Sequence, residues 1–204
     1  MDEIKKTNNM NKILNRNTFF IKEHIGIFKA ANNFDILDPE NSEILMTCRE
    51  ENLGFFTKLF RFSSYKRMTP FHVEIKDANG QLILTVKRGF YLFRSKVDVL
   101  DENNQLVGIF KQKFFSIGGK FDVEDANGNF LCTLKGKWTS WDFKFADSNQ
   151  EYAHVTKKWA GLGKELFTTA DNYILNIFDN VPENDSKRIL ILGAVLCIDM
   201  VLKE

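Results

Sequence analysis

The chain has 204 residues, with 28 basic and 27 acidic side chains and a formal net charge of +1. That balance argues against a strongly basic nucleic-acid binder, and a hydrophobic fraction of 44% argues against a disordered chain. Cys48, Cys132 and Cys197 are too few and too widely spaced, without a C-x-x-C pair, for a disulfide framework or a zinc site. No metal or other cofactor is expected. The unusual component is phenylalanine, with 20 residues.

The first 17 residues are polar and rich in Asn and Lys. They predict a partly disordered arm, residues 1–17, followed by a single domain over 18–204. The arm has no apolar run of the kind a signal peptide needs, so the expected location is cytoplasmic, at most peripheral to a membrane. Thr18–Phe28 reads as an opening strand and Phe34–Cys48 as a first hairpin. A repeat then follows, anchored on aspartates: VEIKD ending at Asp77, VDVLD at Asp101, FDVED at Asp125 and FKFAD at Asp147. Val73/Ile75, Val97/Val99 and Phe121/Val123 alternate with polar residues, which is the period of a half-buried strand.

Each aspartate opens a turn. Asp77-Ala-Asn79-Gly80 and Asp125-Ala-Asn127-Gly128 carry Asn-Gly, a hairpin signal in which both residues tolerate positive φ. The return strands alternate again, at Leu82/Leu84/Val86, Leu106/Gly108/Phe110 and Phe130/Cys132/Leu134. Phe110, Phe121 and Phe130 are thus expected to face inward. His154, at the equivalent position of the later hairpin Phe143–Thr156, is expected inward as well. Trp159–Thr169 reads as a short connecting helix and Asn172–Asp179 as a closing strand. About twelve strands at near-even spacing predict a closed antiparallel barrel.

The chain ends with ILILGAVLCIDMVL, Ile189–Leu202, preceded by the cap candidates Asn184, Asp185 and Ser186. A membrane span needs about 20 apolar residues, so this segment predicts a helix over about 186–202 enclosed by protein. A helix apolar on every side needs apolar surroundings on every side. A barrel of more than eight strands has the lumen for it, with Gly108, Cys132, Gly193 and Ala194 easing the fit. Packing of the helix across an open sandwich is the alternative. Asp199 is the one charge within the apolar run, and it calls for a Lys, Arg or Trp partner.

Charge is distributed unevenly along the repeat. The hairpin tips carry Asp38, Asp77, Asp101, Asp125 and Asp147, whereas return strands end in basic residues at the opposite rim. The longest insertion, Asn52–Pro70, joins strands at that basic rim and interleaves Lys58, Arg61, Lys66 and Arg67 with Phe55, Phe56, Phe60 and Phe62. Basic and aromatic residues together suit anionic headgroups. The candidate anion-binding set is therefore Lys58, Arg61, Lys66, Arg67, Lys87, Arg88, Lys111 and Lys113, with the four phenylalanines as membrane contacts. The alternative is a loop whose aromatics cap the barrel mouth. Gly161-Leu-Gly163-Lys164 lacks the spacing of a phosphate loop, and the Asp-Ala-Asn-Gly turns lack the Glu of a calcium loop. No catalytic constellation stands out.

The opening FFIKEHIGIFKAANNFDILDP, the Asp-turn hairpins, KKWAGLGKELFTTADNYILNIF and RILILGAVLCIDMVL together resemble the LURP-one-related and phospholipid-scramblase-like family of the tubby C-terminal-like superfamily. The resemblance implies a twelve-stranded barrel around a hydrophobic C-terminal helix. It also implies a non-enzymatic binding module, with an anionic phospholipid or a protein as partner and no nucleic acid. A protein-interaction scaffold and an uncharacterised enzyme remain as alternatives.

Overall fold

The structure is a computed structural model that describes residues 12–24, 33–50, 69–90, 95–113, 120–137, 141–157 and 172–202. Twelve antiparallel strands close into one barrel, in which each strand pairs with its sequence neighbours and β1 pairs with β12. The strands are β1 (Thr18–Glu23), β2 (Phe34–Leu37), β3 (Ile44–Glu50), β4 (Phe71–Asp77), β5 (Leu82–Arg88) and β6 (Lys96–Asp101). They continue as β7 (Leu106–Gln112), β8 (Lys120–Asp125), β9 (Phe130–Lys137), β10 (Asp142–Ala146), β11 (Glu151–Thr156) and β12 (Asn172–Ile177). Helix α1 (Ser186–Leu202) follows, and Ile189 to Cys197, glycine aside, are all buried together with Ile198 and Val201. The enclosed helix is thus the arrangement adopted, and the open sandwich is not. The expected connecting helix at 159–169 lies outside the described residues.

Hairpin geometry follows from the repeated aspartate. The Asp77 carboxylate accepts from the backbone N–H of Asn79 and Gln81, both at 2.9 Å. Asp101 does the same for Asn103 and Gln105, and Asp125 for Asn127 and Asn129. Only the last turn residue takes positive φ, at Gly80 (81°), Asn104 (59°) and Gly128 (84°). Asn79 and Asn127 do not, so the Asn-Gly pair serves a three-residue turn closed by a left-handed residue.

A bulge follows each hairpin tip. The pairing slips at Ile36/Leu37, Ile75/Lys76, Val99/Leu100, Val123/Glu124 and Phe145/Ala146. Two residues of the return strand then oppose one residue of its partner. The extra residues are Leu45, Ile83, Val107, Leu131 and Tyr152, and all five pack on the core at the tip end of the barrel. The residues just before the first four, Ile44, Leu82, Leu106 and Phe130, are displaced outward. Phe130 is 55% exposed, contrary to expectation, because the bulge breaks the alternation at its strand's first residue.

His154 is a second correction. The β10–β11 turn closes Asp147 N–H onto Gln150 O, one residue sooner than Asp77 onto Gln81. A one-residue change moves every later side chain to the other face. Ala153 therefore occupies the inward position, while His154 faces out and meets Asp142 at 2.8 Å.

Inside the barrel, the fit against α1 depends on two glycines. A Cβ on Gly108 would lie 2.3 Å from the Glu124 carbonyl and 2.8 Å from Leu190, so β7 approaches the helix closely there. At Gly193 a Cβ would meet Val99 at 3.3 Å and Val86 at 3.4 Å. The tip end is closed by Arg188 in the first turn of α1, which is 2% exposed. Its guanidinium donates to the carbonyls of Leu14, Arg16, Val181 and Pro182 and to Asn17 Oδ1, at 2.8–3.3 Å. Lys12–Asn15, within the expected arm, forms a 3-10 turn whose Leu14 is buried. Asp185 caps the helix by accepting from Lys187 N–H at 2.8 Å.

Candidate functional site

The two ends of the barrel differ in how their charges are used. At the tip end the carboxylates are committed to turns. Asp38 is held below the usual carboxylate range by the Glu40 backbone N–H and by Arg16. Asp125 is lowered by Asn129, first through its side chain and then its backbone, and Asp147 by the Tyr152 hydroxyl at 2.5 Å and by backbone donors. These aspartates shape hairpins, and no group of three or more metal-ligating side chains occurs among the described residues.

At the opposite end the strands deliver basic side chains. Lys111 and Lys113 stand on the outer wall at the end of β7, half exposed, paired with Glu124 at 2.5 Å and Asp122 at 2.8 Å. Lys96 meets Asp98 at 3.1 Å, and Lys157 lies 4.8 Å above the Trp141 ring. Lys87 stands on β5, flanked across the sheet by His72 and Asp98. Phe90, immediately beyond β5, is 59% exposed. Among the described residues, this end thus carries an exposed aromatic ring together with several lysines.

Arg88 differs from the other candidates. The alternation of β5 turns it inward, where it is 5% exposed. It donates to the Thr69 carbonyl at 2.7 Å and to Ser95 Oγ at 3.3 Å, and sits 4.7 Å above the Phe71 ring. That corrects its assignment to the open rim: it ties together the segments that flank β4 and β6. Arg49 is likewise engaged, donating to Asp35 at 2.6 Å and to the Phe34 and Cys48 carbonyls. Burial would raise the Asp35 pKa, but the bonds from Arg49 and His24 outweigh it and the net shift is downward.

Lys58, Arg61, Lys66 and Arg67, with Phe55, Phe56, Phe60 and Phe62, lie outside the described residues, as does the Asp199 side chain. Lys111 and Lys113 are brought together, and sequence reading missed their neighbour Lys120 because its strand begins rather than ends with the lysine. The cross-strand register Lys120/Lys135 is the signal that finds it. Arg188 was also missed, although a lone arginine opening an apolar helix is legible as a closure. The free cysteines are buried. Burial pushes the Cys132 thiol up to about 12 and raises Cys48 and Cys197 as well, so none is a nucleophile near neutral pH.

Comparison with known proteins gives one family and one fold neighbour. A family model described as Scramblase matches residues 3–204. A protein from Arabidopsis thaliana, solved by X-ray crystallography, superposes with a TM-score of 0.54 at 16% identity. The alignment covers 93% of this chain and 94% of that one, and at that identity it bears on the fold alone. No curated protein sequence matches.

Proposed function

We propose that this chain, which belongs to the Scramblase family, is a non-enzymatic module that binds anionic lipid headgroups at the basic, aromatic-bearing end of its barrel. Membership of this family suggests a lipid-related binding role. The observation that carries the finer reading is the segregation of charge. Lys87, Lys96, Lys111 and Lys137 lie toward the end where Phe90 is exposed, while Asp38, Asp77, Asp101, Asp125 and Asp147 at the other end are taken up in turns.

The insertion over 52–70, which joins β3 to β4 in sequence, carries Lys58, Arg61, Lys66 and Arg67 as further candidates for that contact. Each basic residue near an anionic surface contributes about 1 kcal/mol. A handful of such contacts with aromatic insertion is enough for reversible peripheral binding, in which the protein rests on the bilayer. No helix among the described residues is long and apolar enough to cross a membrane.

Co-sedimentation with vesicles tests the reading. Vesicles of phosphatidylcholine with phosphatidylserine are expected to retain the protein in a salt-sensitive manner, and vesicles of phosphatidylcholine alone are not. Equal retention by both overturns it. A single protein captured with no lipid preference would favour the scaffold reading instead.

A further inference from the structure

The outer wall of β7–β10 carries a row of lysines that the fold itself does not require. Across the sheet, Lys113 lies against Lys120, Lys120 is the partner of Lys135, and Lys135 is the partner of Lys144. One row of the ladder therefore sets four lysines side by side on strands about 4.8 Å apart. Like charges directly opposite each other destabilise a sheet. Asp122 neutralises Lys113 at 2.8 Å and Glu151 neutralises Lys144 at 2.7 Å. Asp142, the other carboxylate bordering the row, is paired with His154 at 2.8 Å. Lys120 and Lys135, at the centre, have no acidic partner among the described residues.

We infer that this row is a docking surface for an extended acidic segment of a partner protein. Shape decides against a bilayer laid along this wall, and the vesicle arm of the test below tells apart a bilayer across the barrel's end. Twelve strands complete the barrel, so each strand step turns the wall by about 30° and the three steps from β7 to β10 turn it by about 90°. A flat membrane tangent to Lys120 turns away from Lys144, whereas a flexible chain follows the curve. The residue types decide against nucleic acid. The row holds no arginine to grip phosphate bidentately and no aromatic on which a base could stack. Lysine point charges on flexible stems suit carboxylates presented along an extended peptide. Closure of the barrel leaves no free strand edge for backbone pairing, so side chains must make the contact. The row uses no residue of the 52–70 insertion and stands whether or not lipid binding does.

A fluorescein-labelled deca-glutamate peptide, followed by anisotropy at about 50 mM salt so that screening is modest, is the probe. The intact chain is compared with Lys120→Glu and with Lys22→Glu, which makes the same charge change on the exposed wall of β1. Lys120→Glu is expected to lose about tenfold in affinity and Lys22→Glu less than twofold. Thermal melting serves as the second readout. In the Lys120→Glu variant an ion pair with Lys135 replaces a repulsion, so Tm is expected to hold or rise while binding falls. Equal losses in both variants, or no binding by the intact chain, overturn the inference. So does a Lys120→Glu variant that loses retention on phosphatidylserine vesicles yet keeps the peptide, because the row would then serve the bilayer.

Discussion

Single side chains account for the closures of this barrel. Arg188 is buried and its donors meet five oxygens, none of them a carboxylate. Replacing it with leucine leaves those oxygens without a donor in a dry site, where each orphan costs about 1–3 kcal/mol. Arg188→Leu is therefore expected to lower the unfolding free energy by at least about 3 kcal/mol in urea titration, with Arg188→Lys losing less. Indifference to both substitutions would show that the 3-10 turn is held by Leu14 alone. The aspartates make a pH prediction. Asp35, Asp38, Asp125 and Asp147 all have folded-state pKa values below their ordinary ones. Their ionised forms are favoured by folding, so the stability they contribute is fully present above the unfolded carboxylate range near pH 4. It is lost as pH falls through the depressed values. Tm is expected to be flat from about pH 5 to 7 and to drop between about pH 4 and 2; a Tm that held to pH 2 would contradict the assignment.

At the scale of elements, two glycines facing the same interior give opposite expectations. Gly108→Ala drives a Cβ into a backbone carbonyl on β8, which cannot retreat without breaking the ladder, and overpacking of that kind costs about 1–3 kcal/mol or more. Gly193→Ala meets only the methyl groups of Val99 and Val86, and alanine is favoured over glycine in a helix by about 1 kcal/mol. Its Tm is expected to stay close to that of the parent chain. Strands and helix were readable because apolar residues recur with period two along the barrel and crowd every side of α1. Phe130 and His154 were misread for one reason. Facing is fixed by register, and register is reset by a bulge or by one residue fewer in a turn. Neither appears as a residue type. The enclosed Arg88 was misread because a strand's last residue still obeys the alternation, and Arg88 falls on the inward phase with Leu84 and Val86.

For the whole molecule, the proposed reading rests on how a net charge of +1 is distributed among the described residues. Asp38, Asp77, Asp101, Asp125 and Asp147 bind their own turns at one end, and lysines collect toward the other and along the wall of β7–β10. Among the candidate residues, those in regular strands could be placed by periodicity, whereas Lys58, Arg61, Lys66 and Arg67 sit in an insertion that lacks any period and were legible only by composition. On the proposed lipid-binding reading, the basic end faces the bilayer. Because Cys48, Cys132 and Cys197 are buried, an environment-sensitive fluorophore can be attached at one introduced thiol. Lys58→Cys puts it in the insertion between β3 and β4, and Asn103→Cys at a hairpin tip. On vesicles containing phosphatidylserine, the label at position 58 is predicted to shift to the blue and the label at position 103 to remain as in water. A blue shift at position 103, or none at position 58 when the protein is bound, would contradict the account.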